Sequence, residues 1–211
     1  MVAHPVFARI YSRLRPLMDE QGVEDHRRRL LDGLAGQVVE VGAGDGGNFA
    51  YYPSEVTSVV AVEPEPYMRA KAEQHAVAAP VRVEVVNGTA DRLPLADGSM
   101  DAVVASLVLC SVPDQAVALA EAFRVLRPGG ELRFYEHVAA PPGRRLRAVQ
   151  RIADATLWPW LMGGCHVHRD TAAAITAAGF AIKDLDHFDF PPTGPNPSAP
   201  HILGRALRPE S

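Results

Sequence analysis

Two periods of apolar residues run along this chain, and one gives way to the other near residue 36. Up to that point the spacing is helical. Phe7, Ile10, Tyr11, Leu14, Leu17 and Met18 predict an amphipathic helix over 5–18 that carries Pro16. A second helix is predicted over 22–34, ending near Gly33 and Gly36. Short apolar runs then follow, each rich in β-branched or aromatic residues: QVVEV (37–41), TSVVAVE (57–63), VRVEVVN (81–87), MDAVVAS (100–106) and GELRFYE (130–136). Helical stretches fit between most of them. Near-continuous apolar strands that alternate with helices predict an α/β chain with a parallel, doubly wound sheet covered on both faces. An irregular-to-helical section over 141–168 and a helix over 170–178, ended by Gly179, come next. The last two runs, 180–190 and 201–207, are joined by PPTGPNPSAP. That linker is too short and too rich in proline for a crossover helix, so these strands are expected to be antiparallel.

Composition narrows the class. A chain of 211 residues with 47% hydrophobic content can bury a sizeable core, and one domain is expected over 1–211. The net charge of −4 argues against a nucleic-acid partner, since neutralising phosphates leaves a basic footprint. The basic runs HRRRL (26–30) and GRRLRAVQR (143–151) are local and read as solvated helix faces. Two cysteines make no disulfide framework and point to a reducing compartment. Arg9, Arg13 and Arg15 interrupt the amino-terminal apolar residues, so neither a signal peptide nor membrane insertion is expected, and the location is expected to be cytoplasmic.

The first strand runs directly into VVEVGAGDGGNF, in which Gly42, Gly44 and Gly47 satisfy GxGxxG. Glycines here let the backbone turn tightly and approach a ligand, and Glu63, the acid that ends the second strand, can accept hydrogen bonds from ribose hydroxyls. Both NAD and S-adenosylmethionine carry such a ribose, and the loop taken alone suggests a dinucleotide. Glu40 shifts the balance. Two residues before the first glycine, its carboxylate can orient the loop and reach the positively charged amino-acid end of S-adenosylmethionine.

Downstream stand NGTADRLPLADGSMDAVV and FRVLRPGGELRFYEHV. With the glycine loop they resemble class I methyltransferases of the ubiquinone and menaquinone type, over about 40–207. The resemblance implies a Rossmann-like fold with a seven-stranded, mostly parallel sheet whose last strand is antiparallel. It divides the chain into an N-terminal helical cap (1–35), a cofactor-binding half (36–137) and an acceptor-side half (138–211). The cofactor it implies is S-adenosylmethionine, leaving as S-adenosylhomocysteine. Glu40, Gly42, Ala43, Gly44 and Asn48 would line the methionine side, Glu63 would hold the ribose, and Pro64 would lie near the adenine. Thr89 and Ala90 would frame the adenine amino group, with Thr89 standing where family members commonly carry Asp. Ser106 and Leu107 would touch the cofactor near its sulfonium.

The match tightens over FAYYP, ADGSMDAVVASLVLCSV, VLRPGG, YEHVAAP, GGC and PHILGRA, which are similar to the methyltransferase-like thiol S-methyltransferase family. That similarity implies a small-molecule thiol acceptor, and bacterial enzymes that methylate the reduced dithiols of disulfide-containing natural products are similar in reaction. Some members of the family are membrane-attached through an apolar leader; no such leader is expected here, and the substrates are expected to be ones that reach the cytosol. The general motifs are shared with O-, N- and C-methyltransferases of quinol-like rings, amines or phospholipids. The acceptor atom therefore stays open at this level, as do a module that binds the cofactor without turnover and the choice between monomer and dimer.

Topology suggests where the acceptor is activated. Glu136 and His137, in FYEHV, lie at the carboxyl end of the fifth strand, where open α/β sheets bind ligands. His201 opens the last strand, which the methyltransferase resemblance implies is antiparallel to its neighbours, so that it would begin at the same edge. His137 and His201 are predicted on one rim, with His137 the base for the acceptor thiol and Glu136 its orienting neighbour.

One cluster, GGCHVHRD (163–170), carries good zinc-ligand types in Cys165, His166 and His168. Structural zinc sites normally take four ligands, the other cysteine, Cys110, is far upstream, and the similar thiol methyltransferases keep the Gly and Cys but not the histidines. No metal is expected. Cys165 and His166 are read as an acceptor-pocket wall with Trp158 and Trp160 of the neighbouring DATLWPWLMGG, and His168 as the neighbour of a helix cap at Asp170. Tyr11 and the first helix are read either as a core face or as a lid over that pocket.

Overall fold

The computed structural model describes residues 5–192 and 196–210. Its strands are β1 (Gly36–Val41), β2 (Val56–Val62), β3 (Val83–Val86), β4 (Met100–Ser106), β5 (Leu126–His137), β6 (Ala181–Asp189) and β7 (Pro200–Leu207). The α-helices are α1 (Pro5–Met18), α2 (Glu24–Leu31), α3 (Pro66–Ala76), α4 (Gln115–Val125), α5 (Arg145–Asp154), α6 (Trp158–Leu161) and α7 (Thr171–Ala177). All seven strands form one sheet in the order β3-β2-β1-β4-β5-β7-β6. The first five pair in parallel, and β7 runs antiparallel to both β5 and β6. β6 and β7 are thus antiparallel, as expected of strands with so short a linker, whose residues 193–195 lie outside the described ones.

The two-residue period of the strands accounts for the layers. On β1, Val39 and Val41 join a core with α4 and α7 residues such as Leu119 and Ile175, while Val38 faces Leu30, Leu31 and Ala72 of α2 and α3. On β4, Val103 and Ala105 take the first side and Ala102 and Val104 the second. Both faces are therefore covered, which is why these runs are apolar throughout. The outer strand β6 instead exposes Lys183, Asp184 and Asp186, charges that guard a sheet edge.

Three elements differ from expectation. β5 begins at Leu126 because the LRPGG turn already pairs with β4, Met100 opposite Leu126, across a register shift. The second helix is shorter than 22–34: Gly22, at φ 116, kinks the chain within Asp19–Val23, ahead of α2. The apolar stripe of α1 splits. Phe7 stacks on Tyr11 and packs against Gly163, but Ile10, Leu14 and Leu17 stay about half exposed, so the stripe is no core face.

Candidate functional site

The glycine loop follows β1 and is shaped from both sides. Gly42 and Gly44 have φ of 62° and 59°, the left-handed region that costs an L side chain strain. A Cβ on Gly42 would also run into the Val108 side chain, so the loop lies directly against the segment after β4. Gly47 has no such φ; a Cβ there would meet Arg15 and Arg27 at 2.9–3.0 Å. Glu63, at the end of β2, accepts from Gly44 N and Glu65 N, both at 2.8 Å, one on each oxygen. Each oxygen keeps a second lone pair for a ribose hydroxyl. Burial pushes the Glu63 carboxyl up to about 6 against those two hydrogen bonds.

Glu40 is buried on β1, where Asn48 Nδ2 and Tyr52 Oη donate to its oxygens at 2.8 Å. Burial pushes it up to about 7, with those two donors and Arg27 opposing. Asn48 in turn accepts from Arg27 Nη1 at 2.7 Å, Arg27 holds Asp19, and Arg15 bridges Asp19 to Asp45 of the glycine loop. The helices before β1 are thus bolted by charge to the loop. Sequence reading missed Arg15, Arg27 and Asp45 as members of this region, because no local pattern links residues so far apart. Pro64 and Thr89 lie half-buried beyond β2 and β3, and Thr89 bridges to Arg92 across a tight turn beside Ala90. Ala43 is buried below the loop. These features fit S-adenosylmethionine: a close backbone approach, a buried carboxylate at a strand end and a second one under the loop.

The acceptor edge is built around the turn after β4. Ser106 ends that strand, and Leu107, at φ 58, is the one non-glycine in the left-handed region among the described residues; its N–H donates to Tyr135 O at 2.7 Å. Glu136 then fixes the turn, accepting from the N–H groups of Val108, Leu109 and Cys110 at 2.9–3.0 Å. Its oxygens serve this backbone rather than His137, which corrects the expectation that it orients the imidazole. Arg169 completes the turn by donating to Leu109 O and Val112 O.

His137 pairs in register with His201, and their rings stand 4.5 Å apart. The two residues, separated by 64 positions, do share one edge. His201 is buried between Tyr135 and Phe188, and its Nδ1 lies 2.7 Å from Ala199 O, which leaves Nε2 as an acceptor. Burial and the neighbouring His137 pull His201 down to about 3, so it is neutral. A cleft of about 410 Å³ at the tips of β5, β6 and β7 touches His201 but not His137; Arg144 and Asp189 are paired on its wall.

The same His137 stands beside both cysteines. Its Nδ1 is 3.6 Å from Cys110 Sγ and 3.5 Å from Cys165 Sγ, and both thiols are free and buried. The chain distance that set Cys110 apart from GGCHVHRD therefore vanishes in the fold. Bonding to Cys110 pulls the Cys165 thiol down while Cys110 is driven up, and the Cys165 contact raises His137 against the effect of burial. Asp154, at the end of α5, holds the Cys165 loop by accepting from Val167 N and His168 N at 2.8 and 3.0 Å. Trp158 packs against the two cysteines and Val167.

Two of the proposed wall residues turn away. Trp160 is 69% exposed on α6. His166 directs its ring toward Asp154, 3.7 Å off, and is partly exposed; only its backbone, donating to Cys110 O, supports the cluster. Asp170 is the cap of α7, as expected, accepting from Ala173 N. No described helix is long and apolar enough to cross a membrane.

Residues 39–134 match the family model described as a methyltransferase domain. A thiol S-methyltransferase of Rattus norvegicus is 37% identical over 184 residues, covering 84% of this chain and 74% of that protein. Its counterpart in Homo sapiens is 38% identical over 185 residues with the same coverage. Among solved structures, a SAM-dependent methyltransferase from Thermotoga maritima superposes with a TM-score of 0.68 at 23% identity, covering 97% of this chain and 99% of that one, a likeness of fold.

Proposed function

Because this chain belongs to the methyltransferase family that contains the thiol S-methyltransferases, we propose that it transfers the methyl group of S-adenosylmethionine to the sulfur of a small-molecule thiol. Bound S-adenosylmethionine supplies a methyl group already activated by its sulfonium. The protein has to hold the cofactor, exclude water and present a nucleophile in line. Gly42 and Gly44 offer backbone to it, Glu63 receives the ribose hydroxyls, and Glu40 with Asn48 faces the amino-acid end. Pro64, Thr89 and Ala90 flank the adenine, and Ser106 and Leu107 border the sulfonium.

The reading is carried by one observation: the turn after β4, which abuts Gly42, continues within three residues to Cys110 and so to His137. A free thiol with a pKa near 8.5 is mostly protonated at neutral pH, so activation means helping it lose a proton. The cluster centred on His137 is placed to do so. Tyr11 and α1 close the cofactor side, and the acceptor reaches the cytosolic enzyme as a monothiol or as one sulfur of a reduced dithiol.

Labelled S-adenosylmethionine, offered with matched thiol, phenol and amine acceptors, tests the proposal. Label is expected on the thiol alone. Preference for the phenol or amine overturns the sulfur assignment, and transfer to none of them reduces the chain to a binding module.

A further inference from the structure

We propose that Cys110, His137 and Cys165 form a zinc site with three protein ligands, and that its fourth coordination position receives the acceptor thiol. The proposal rests on the thiol reading above and says how the sulfur is activated.

Their ligand atoms lie within 4.8 Å of one another. An ion about 2.3 Å from each sulfur and about 2.0 Å from the nitrogen, at tetrahedral angles, places each sulfur about 3.5 Å from that nitrogen. The observed separations are 3.5 and 3.6 Å. A hydrogen bond explains only half of this. Nδ1 has either one proton or one lone pair, directed along a single axis, yet two sulfurs stand at equal range from it. A cation on that axis satisfies all three atoms together.

Each ligand is fixed by a group outside the cluster. Glu136 holds the amides of the Cys110 turn, Asp154 those beside Cys165, and His137 sits in the β5–β7 register. Such support is what holds metal ligands in place before the ion arrives. Two thiolates and an imidazole select a borderline-soft ion such as zinc over magnesium or calcium. Among the described residues no fourth ligand is offered: His166 is turned to Asp154, and Glu136 is taken up by three amides. Three protein ligands with one open position is the pattern of a catalytic zinc site.

The chemistry balances without a further reagent. A thiol entering the fourth position forms a metal–sulfur bond and releases its proton to solvent, because a coordinating thiol is deprotonated. With two cysteinates cancelling the charge of the ion, the bound thiolate keeps its nucleophilicity. Its sulfur forms the bond to the transferred methyl as the methyl–sulfonium bond breaks, the electron pair remaining on the departing thioether sulfur. The methylated product is itself a thioether, a weak ligand for zinc, and leaves. His137 then acts by holding the ion rather than by taking the proton.

The test is metal binding by the full chain, kept reduced, with Zn²⁺ in competition with a chromophoric chelator and with Co²⁺ as a spectroscopic probe. One ion per chain is expected, with the strong visible bands of tetrahedral cobalt and a sulfur-to-metal charge-transfer band. Adding a small alkyl thiol should change those bands without S-adenosylmethionine. C110S and C165S, checked for folding by circular dichroism, should each lose the charge-transfer intensity of one sulfur and weaken binding at least tenfold. Absence of tight binding by the wild-type chain overturns the proposal even where the variants fail to fold. So does thiol methylation that persists at its full rate after the metal is stripped, which leaves the methyltransferase reading standing. One bound ion with no methyl transfer to any thiol does the reverse, keeping the metal site and overturning the sulfur acceptor.

Discussion

The two ends of the sheet's carboxyl edge are built on different plans. At β1 and β2 the cofactor region is contiguous: a strand, a glycine loop and an acid at the next strand end, all within 36–63. At β5 and β7 the acceptor region is gathered from Cys110, His137, Cys165 and His201, four segments brought together by strand order and by one long insertion. The first plan sets backbone and buried carboxylates close together in the chain; the second gathers its side chains from distant segments. A cofactor shared across a family suits a fixed local motif, whereas an acceptor that varies suits residues on separate elements that can change one at a time.

That division can be broken by experiment. The largest effect is expected from His137→Gln, which should lower kcat/KM for thiol methylation by roughly 10²-fold or more, because it removes the imidazole at the centre of the cluster that activates the thiol, with S-adenosylmethionine affinity unchanged. A wild-type rate across pH would remove His137 from the chemistry. Glu63→Ala should do the opposite. It should weaken S-adenosylmethionine binding about 10- to 100-fold in calorimetry, the cost of losing charge-assisted hydrogen bonds, while leaving the KM for thiol nearly constant. A change of equal size in both constants would mean the two regions are not separable.

A smaller effect concerns pH. Burial raises Glu40 to about 7 and Glu63 to about 6, so the folded protein holds protons there that the unfolded chain has lost. Without cofactor, the stability these groups contribute is fully present below their unfolded values and is lost as pH rises through about 6 to 7. The cationic cofactor favours the ionised carboxylates. Its affinity should therefore rise about five- to tenfold between pH 6 and 8, with proton release on binding, seen as a dependence of calorimetric heat on buffer ionisation. A flat affinity would separate Glu40 from the cofactor. The smallest effect belongs to Trp160→Ala. Its exposed ring should be removable at a cost within about 0.5 kcal/mol and with unchanged thiol kinetics, and a large loss of activity would restore it to the pocket wall.

The same contrast explains what could be read in advance. The strands, their parallel order, the antiparallel return and the residues around Gly42 and Glu63 all follow from local period and short spacing. The meeting of His137 and His201 also followed, because it depends only on which way each strand runs. Cys110 beside Cys165 did not. Their contact is set by how the section over 141–168 folds back, through Asp154, Arg169 and Gln150, and Gln150 alone ties Ala140, Val138 and Pro197 together from one buried amide. No periodicity encodes such ties. Trp160 was misplaced because a four-residue helix has too little pattern to show which side it buries, and His166 because nothing local shows that its ring faces Asp154.

Cys110 is gripped twice by a single dipeptide. Glu136 takes its amide and His137 its sulfur, from consecutive positions of one strand. Sliding β5 by one residue against β4 would set Tyr135 among the amides and Glu136 among the thiols, or, in the other direction, His137 among the amides and Val138 among the thiols. The alignment of this strand pair is thus part of the chemistry. A single-residue insertion in β5, distant from every reacting atom, would be a mutation of the active site.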